Sequence, residues 1–75
     1  MRDLLEVMAK SLVDHPDEVL VTEESRDDML VLNLKVAQSD MGKVIGKSGR
    51  IAKALRQVLN AAASRDKIKV IVDIG

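Results

Sequence analysis

Residues Gly46-Lys47-Ser48-Gly49, followed by Arg50 and Lys53, are the part of the chain whose residue types and spacing point most directly to ligand chemistry. Two glycines spaced by three let a chain turn sharply and bring its backbone close to another backbone. A helix resuming at Arg50 aims its N-terminal amides and the positive end of its dipole into that turn, where a phosphate oxygen is favoured. Lys47 and Arg50 add cations beside it. The combination reads as a phosphodiester cradle. Taken alone, the same four residues also read as a tight turn between helices, with Gly49 as a permissive hinge.

Gly46-Lys47-Ser48 also supplies the last three residues of the nucleotide P-loop, G-x-x-x-x-G-K-[ST]. The upstream glycine, Gly42, leaves three intervening residues where that motif has four, and the segment before the loop reads as a short helix where the P-loop follows a strand. Nor does a 75-residue chain have room for the sheet and magnesium-binding acid of an NTPase. His15 is the only histidine and sits in the turn Asp14-His15-Pro16-Asp17, a poor setting for a Ser-His-Asp triad. Asp14, His15 and Asp17 read as a surface turn rather than a metal site, and no two carboxylates share an acid-base spacing. The expectation is a protein without enzymatic activity, metal or cofactor.

The formal net charge is zero, from 12 Lys and Arg against 12 Asp and Glu. Divided after Asp40, the zero resolves into unlike halves. Residues 1–40 hold 10 acids and 4 bases, a net of −6, and residues 41–75 hold 2 acids and 8 bases, a net of +6. Between Met41 and Arg65 there is no acid, while Lys43, Lys47, Arg50, Lys53, Arg56 and Arg65 all fall there. Such a segment is an anion footprint confined to one part of the molecule, or else a solvated helix face.

Composition removes several alternatives. With 47% apolar and 32% charged residues the chain is globular, and its length limits it to a single domain, residues 1–75, with a small core. The absence of Cys excludes disulfides, thiolate chemistry and zinc knuckles. The absence of Phe, Trp and Tyr excludes nucleic-acid modules that stack bases on aromatic rings. No run approaches the roughly 20 apolar residues of a membrane span, so no membrane association and a cytoplasmic location are expected.

The elements that must position the loop follow from periodicity. Asp3 and Glu6 resemble a capping pair, and Leu4, Leu5, Met8 and Leu12 share one side of a first helix that stops near Val13. Glu18 to Glu24 reads as a strand, Arg26 to Asp28 as a hairpin loop, and Met29 to Val36 as a half-buried strand with Leu30, Leu32, Leu34 and Val36 on one face. Ser39 and Asp40 are candidate N-caps for a short helix through Met41 to Ile45. From Arg50 a longer helix places Ile51, Leu55, Val58, Leu59 and Ala62 on one face and Arg50, Lys53, Arg56, Gln57 and Asn60 on the other. Ile68 to Ile74 alternates as a last strand. The order αββααβ predicts an α+β domain with a three-stranded mixed sheet and helices packed on one face. The strands flanking the helix pair should be parallel neighbours. The uncovered face would carry Val31, Ile71 and either Leu20 or the Val19/Val21 pair, a small apolar patch that could serve subunit pairing.

The run Val44-Ile45-Gly46-Lys47-Ser48-Gly49-Arg50-Ile51-Ala52-Lys53-Ala54-Leu55-Arg56 resembles the IGxxG signature of KH domains, and αββααβ is the order of their type II form. A free-standing domain of this size, with Lys-Val-Ile-Gly-Lys before the loop and Gly-Arg-Ile-Ala-Lys-Ala-Leu-Arg after it, is similar over essentially its whole length to the KhpA family of small RNA-binding proteins. The resemblance implies a type II KH fold and a groove for about four unpaired nucleotides of single-stranded RNA. Gly46, Lys47, Ser48 and Gly49 would hold the RNA backbone, Lys43, Lys47, Arg50 and Lys53 would neutralise phosphates, and Val44 and Ile45 would line an apolar floor. The family pattern has an aliphatic residue three after the second glycine. Here that residue is Ala52, with Ile51 one earlier, so either lines the groove while the other faces the core.

The resemblance further implies an RNA chaperone acting with a KhpB-like KH protein in post-transcriptional control linked to cell elongation, cell shape and cell-wall and envelope homeostasis. It would form a homodimer or a heterodimer with that partner. A different class of function fits the same residues: a non-catalytic protein-interaction or dimerisation module in which GxxG is only a turn.

Overall fold

In the computed structural model, which describes residues 1–75, alternation and helical period resolve into three helices and three strands. They are α1 (Arg2–Leu12), β1 (Leu20–Arg26), β2 (Met29–Lys35), α2 (Met41–Ile45), α3 (Arg50–Ser64) and β3 (Lys69–Ile74). Short 3-10 turns at Pro16–Glu18, Gln38–Asp40 and Lys47–Gly49 join them. The expected αββααβ order is therefore the observed one.

The sheet runs β1-β2-β3, with β1 antiparallel and β3 parallel to the central β2. Because side chains alternate, Leu30, Leu32 and Leu34 of β2 point to one face, flanked by Val21 of β1 and by Val70 and Val72 of β3. Leu5 and Ala9 of α1, Val44 of α2, and Leu59 and Ala63 of α3 close this core from above. On the open face Leu20 is 52% exposed, whereas Val21 is 2% exposed, so Leu20 is the β1 residue that joins Val31 and Ile71 there. The pleat decides this, since adjacent residues of one strand cannot share a face.

Three local expectations are corrected. β1 begins and ends two residues later than its apolar stretch indicated, because Pro16–Glu18 forms a 3-10 turn and the hairpin needs only Asp27 and Asp28, with Arg26 opposite Met29. Asp3 and Glu6 do not cap α1, whose N-cap position is Met1 without a side-chain cap bond. Glu6 instead pairs with Arg2 at 2.6 Å and Lys10 at 2.9 Å, each one turn away. The buried stripe of α3 is Ala52, Leu55, Leu59 and Ala63, rotated from the expected face, and Val58 is 46% exposed. Alanines at both ends of that stripe let the helix backbone approach its neighbours, which puts the bulkier Ile51 and Val58 on its flank.

Candidate nucleic-acid interface

The GxxG segment joins α2 to α3 through a backbone that few residues tolerate. Gly46 ends α2 at φ 76 and ψ 175, with its N–H donating to the Gly42 carbonyl at 2.8 Å. A Cβ there would lie 2.6 Å from Ile51 Cγ1 and 2.9 Å from the Ile51 nitrogen. Ser48 (φ 58, ψ 26) and Gly49 (φ 74, ψ 16) follow as consecutive left-handed residues, and the Gly49 N–H donates to the Gly46 carbonyl at 3.2 Å. This double reversal delivers the chain to Arg50, where α3 begins. Lys47 and Ser48 are exposed at the tip, and the positive end of the 15-residue α3 lies directly behind them.

Charge pairing separates the basic residues into two groups. Arg2, Lys10, Arg26 and Lys43 all hold carboxylate partners. The other eight Lys and Arg have none within 4.0 Å, and four of these, Lys47, Arg50, Lys53 and Arg56, follow one another along the loop and α3. These four lie on the loop and on the outer surface of α3, where Lys53 and Arg56 are one turn apart. An unpaired row of cations beside a tight loop and a helix N-terminus can neutralise several phosphates of an extended strand without first breaking an internal ion pair.

Two of the expected site residues are engaged within the fold. Val44 is fully buried in the core, so its side chain anchors α2 to the sheet instead of lining a floor. The Lys43 ammonium pairs with Asp14 and lies 3.5 Å from Asp40. Hydrogen bonding to Asp14, only partly opposed by desolvation, raises its pKa above the ordinary 10.5. Ile45, 37% exposed, remains the aliphatic side chain presented beside the loop. Of the pair Ile51 and Ala52, Ala52 is buried at 4% exposure. Ile51 packs over Gly46 and borders a shallow apolar depression between α1 and α3, with Met8, Leu12, Ala54 and Val58.

Asp40 carries a role that its sequence neighbours do not signal. It occupies the N-cap position of α2 but makes no side-chain cap bond. Its carboxylate, 1% exposed, accepts the backbone N–H groups of Asp14 at 3.2 Å and His15 at 3.0 Å, tying the α1–β1 connection to the start of α2. Burial works against its charge. The two N–H bonds, with His15 and Lys43 alongside, outweigh that cost and hold its pKa below the ordinary 3.8. With Asp14 engaged by Lys43, the Asp14-His15-Pro16-Asp17 turn belongs to this strut, and no group of three His, Cys, Asp or Glu side chains is placed to hold a metal ion.

A short and a long helix joined through GxxG, packed on a sheet in which the strands before and after them are parallel, define a KH domain of the type II order. The family model for the KhpA/KhpB KH domain matches residues 2–74, and the chain belongs to that family, which is not enzymatic. It is 58% identical over 74 residues to the RNA-binding protein KhpA of Clostridium acetobutylicum and 54% identical to that of Clostridium perfringens, in both cases over 99% of each chain. The KhpA of Caldanaerobacter subterraneus is 51% identical over the same extent. Among solved structures, Aquifex aeolicus Era bound to GDP.AlF4- superposes with a TM-score of 0.57 at 19% identity. Era in complex with MgGDPNP and nucleotides 1506–1542 of 16S ribosomal RNA gives 0.54 at 20%. Each match covers 97% of this chain but 28% of Era, and at these identities it speaks for the fold alone. No helix is long and apolar enough to cross a membrane.

Proposed function

We propose that this protein binds single-stranded RNA in the groove beside Gly46 to Gly49, holding about four unpaired nucleotides. The observation that carries this reading is the set of carboxylate-free cations, Lys47, Arg50 and Lys53, gathered at a loop whose shape depends on Gly46. The loop backbone and these cations contact phosphates, and Ile45 supplies aliphatic contact to a base. Val44 acts from beneath, by fixing α2, and Lys43 ties α2 to Asp14 and Asp40. The RNA-binding relatives support the same reading.

On this reading the chain works as one KH unit, residues 1–75, in the cytoplasm, as an RNA chaperone in post-transcriptional control linked to cell elongation and envelope homeostasis. Its partner is a second copy or a KhpB-like KH protein, which would raise the avidity of a short groove. Pairing has an observation of its own in the apolar depression bordered by Met8, Leu12, Ile51 and Val58. Titration with unstructured RNA oligomers of increasing length tests the groove. Affinity should level off once the oligomer exceeds about four nucleotides per protomer, and duplex RNA of equal length should compete poorly. Equal affinity for duplex and single strand would sink the assignment.

A further inference from the structure

Two arginines cap the two outer edges of the sheet in the same way. Arg2 donates from Nε to the Val21 carbonyl of β1 at 3.0 Å, and Arg56 donates from Nε to the Val72 carbonyl of β3 at 3.3 Å. β1 and β3 each have a neighbour on one side only. In β3 the Gly75 N–H bonds to Leu34 of β2, so with the alternation of a parallel strand the Val72 carbonyl points away from the sheet. Each arginine thus covers an edge acceptor that would otherwise be open to another strand.

What the two do with the rest of the guanidinium differs. Arg2 Nη1 is taken by Asp3 at 3.0 Å and Glu6 at 2.6 Å. The terminal nitrogens of Arg56 have no protein partner, and no carboxylate lies within 4.0 Å of them. A guanidinium already held at Nε has lost part of its rotamer freedom, so less remains to be lost when its unpartnered terminal nitrogens bind an anion. Arg56 is one turn beyond Lys53 and about 9 Å along α3 from Arg50. It therefore extends the free cations away from the loop along the side of α3 that faces β3.

We propose that Arg56 is an RNA-binding residue that grips a backbone phosphate beyond those held at the loop, with the Val72 carbonyl as the strut that orients it. This rests on the reading of the GxxG face as an RNA site. The contact is with a phosphate because the whole unpaired row is cationic, and the planar fork matches two phosphate oxygens at once.

The test is the salt dependence of binding to oligo(U), oligo(A) and oligo(C) by the full chain and its Arg56→Ala, Arg56→Lys and Arg2→Ala variants. Arg56→Ala should weaken binding roughly tenfold or more, equally for the three oligomers. It should also make the slope of log affinity against log salt shallower by about 0.7, the value of one single-strand phosphate contact. Arg56→Lys should keep the slope and recover part of the affinity, since the charge stays and the tethered fork goes. Arg2→Ala removes the equivalent edge cap and should leave RNA affinity as it is. An unchanged slope in Arg56→Ala overturns the proposal, as does a loss confined to one oligomer or an equal loss in Arg2→Ala. If the wild-type chain binds RNA through Lys47 and Ser48 while the Arg56 variants match it, only the Arg56 assignment falls. If the wild-type chain binds no RNA, both readings fall.

Discussion

The side chain of Ile51 fills the space that a Cβ on Gly46 would need, with Cγ1 2.6 Å from that position. Gly46 is thus required twice over, since its φ 76 and ψ 175 lie in a region open essentially to glycine alone. Gly49 has a positive φ of 74 but open space around it. The two glycines of the motif therefore meet different demands: one seats the loop against α3, and the other only turns the chain.

Substitutions should separate these demands. Gly46→Ala should cost at least about 3 kcal/mol, because backbone strain adds to overlap with both the side chain and the backbone of Ile51. Gly49→Ala should cost about 1 to 2 kcal/mol, the ordinary penalty for an L-residue in the left-handed region. Gly49→Asn should cost less than Gly49→Ala, since Asn tolerates that conformation. Urea unfolding of the three variants checks the ranking.

Gly42 predicts the opposite sign. It lies within α2, has no positive φ, and a Cβ there would meet no heavy atom within 4 Å. Gly42→Ala should stabilise the protein by about 0.5 to 1 kcal/mol by reducing the freedom of the unfolded chain. The same urea experiment reads it as a higher midpoint at unchanged m-value.

On the open sheet face, the Asn33 side-chain oxygen is shielded from solvent without a donor, between Thr22 and Asp73 in the register. Replacing Asn33 by Val removes an unmet acceptor and adds a β-branched residue beside Val31. A gain of about 1 kcal/mol is expected. Thermal unfolding should show it as a raised Tm.

Asp40 sets the acid limit of stability. A carboxyl whose folded pKa lies below its unfolded value contributes stability above the unfolded value and loses it as pH falls through the folded one. Asp40 and Glu6 are both of this kind, Glu6 chiefly through its bond from Lys10. Stability should therefore decline as pH drops below the ordinary carboxylate range of 3.8 to 4.5. Lys43 has the reverse sign: its contribution is complete below 10.5 and is lost as pH rises through its raised folded value. Asp40→Asn should flatten the acid limb and lower Tm by several degrees at neutral pH, as measured by circular dichroism melts across pH. An acid limb identical to that of the wild type would contradict the assignment of Asp40.

The strands, the parallel β2–β3 pair and the loop were legible from residue order because each rests on short-range rules: alternation, a crossover through helices, and glycine where φ is positive. The exact rotation of α3 was not. Hydropathy favours Ile51 and Val58, whereas packing closely against neighbouring elements selects Ala52 and Ala63. From its neighbours Asp40 reads as a cap, because a cap is a local device, but its partners at Asp14 and His15 are 26 and 25 residues away. The same distance hid the engagement of Lys43, which looked like the other cations of its segment until Asp14 was brought to it. Burial of Val44 follows from the way α2 lies on the sheet, and no neighbouring residue signals it.

The most direct test of the central claim is RNA affinity after Lys47→Asp and Ser48→Asp are introduced together. Both side chains are exposed, and Asp is among the residues that enter the left-handed region most readily, so position 48 should keep its turn and the circular dichroism spectrum should not change. Wild-type protein neutralising about 3 to 5 phosphates should show log affinity falling with log salt at a slope of roughly −2 to −3.5. The account predicts that the folded double variant loses binding at every salt concentration. Wild-type affinity and slope in that folded variant would contradict it.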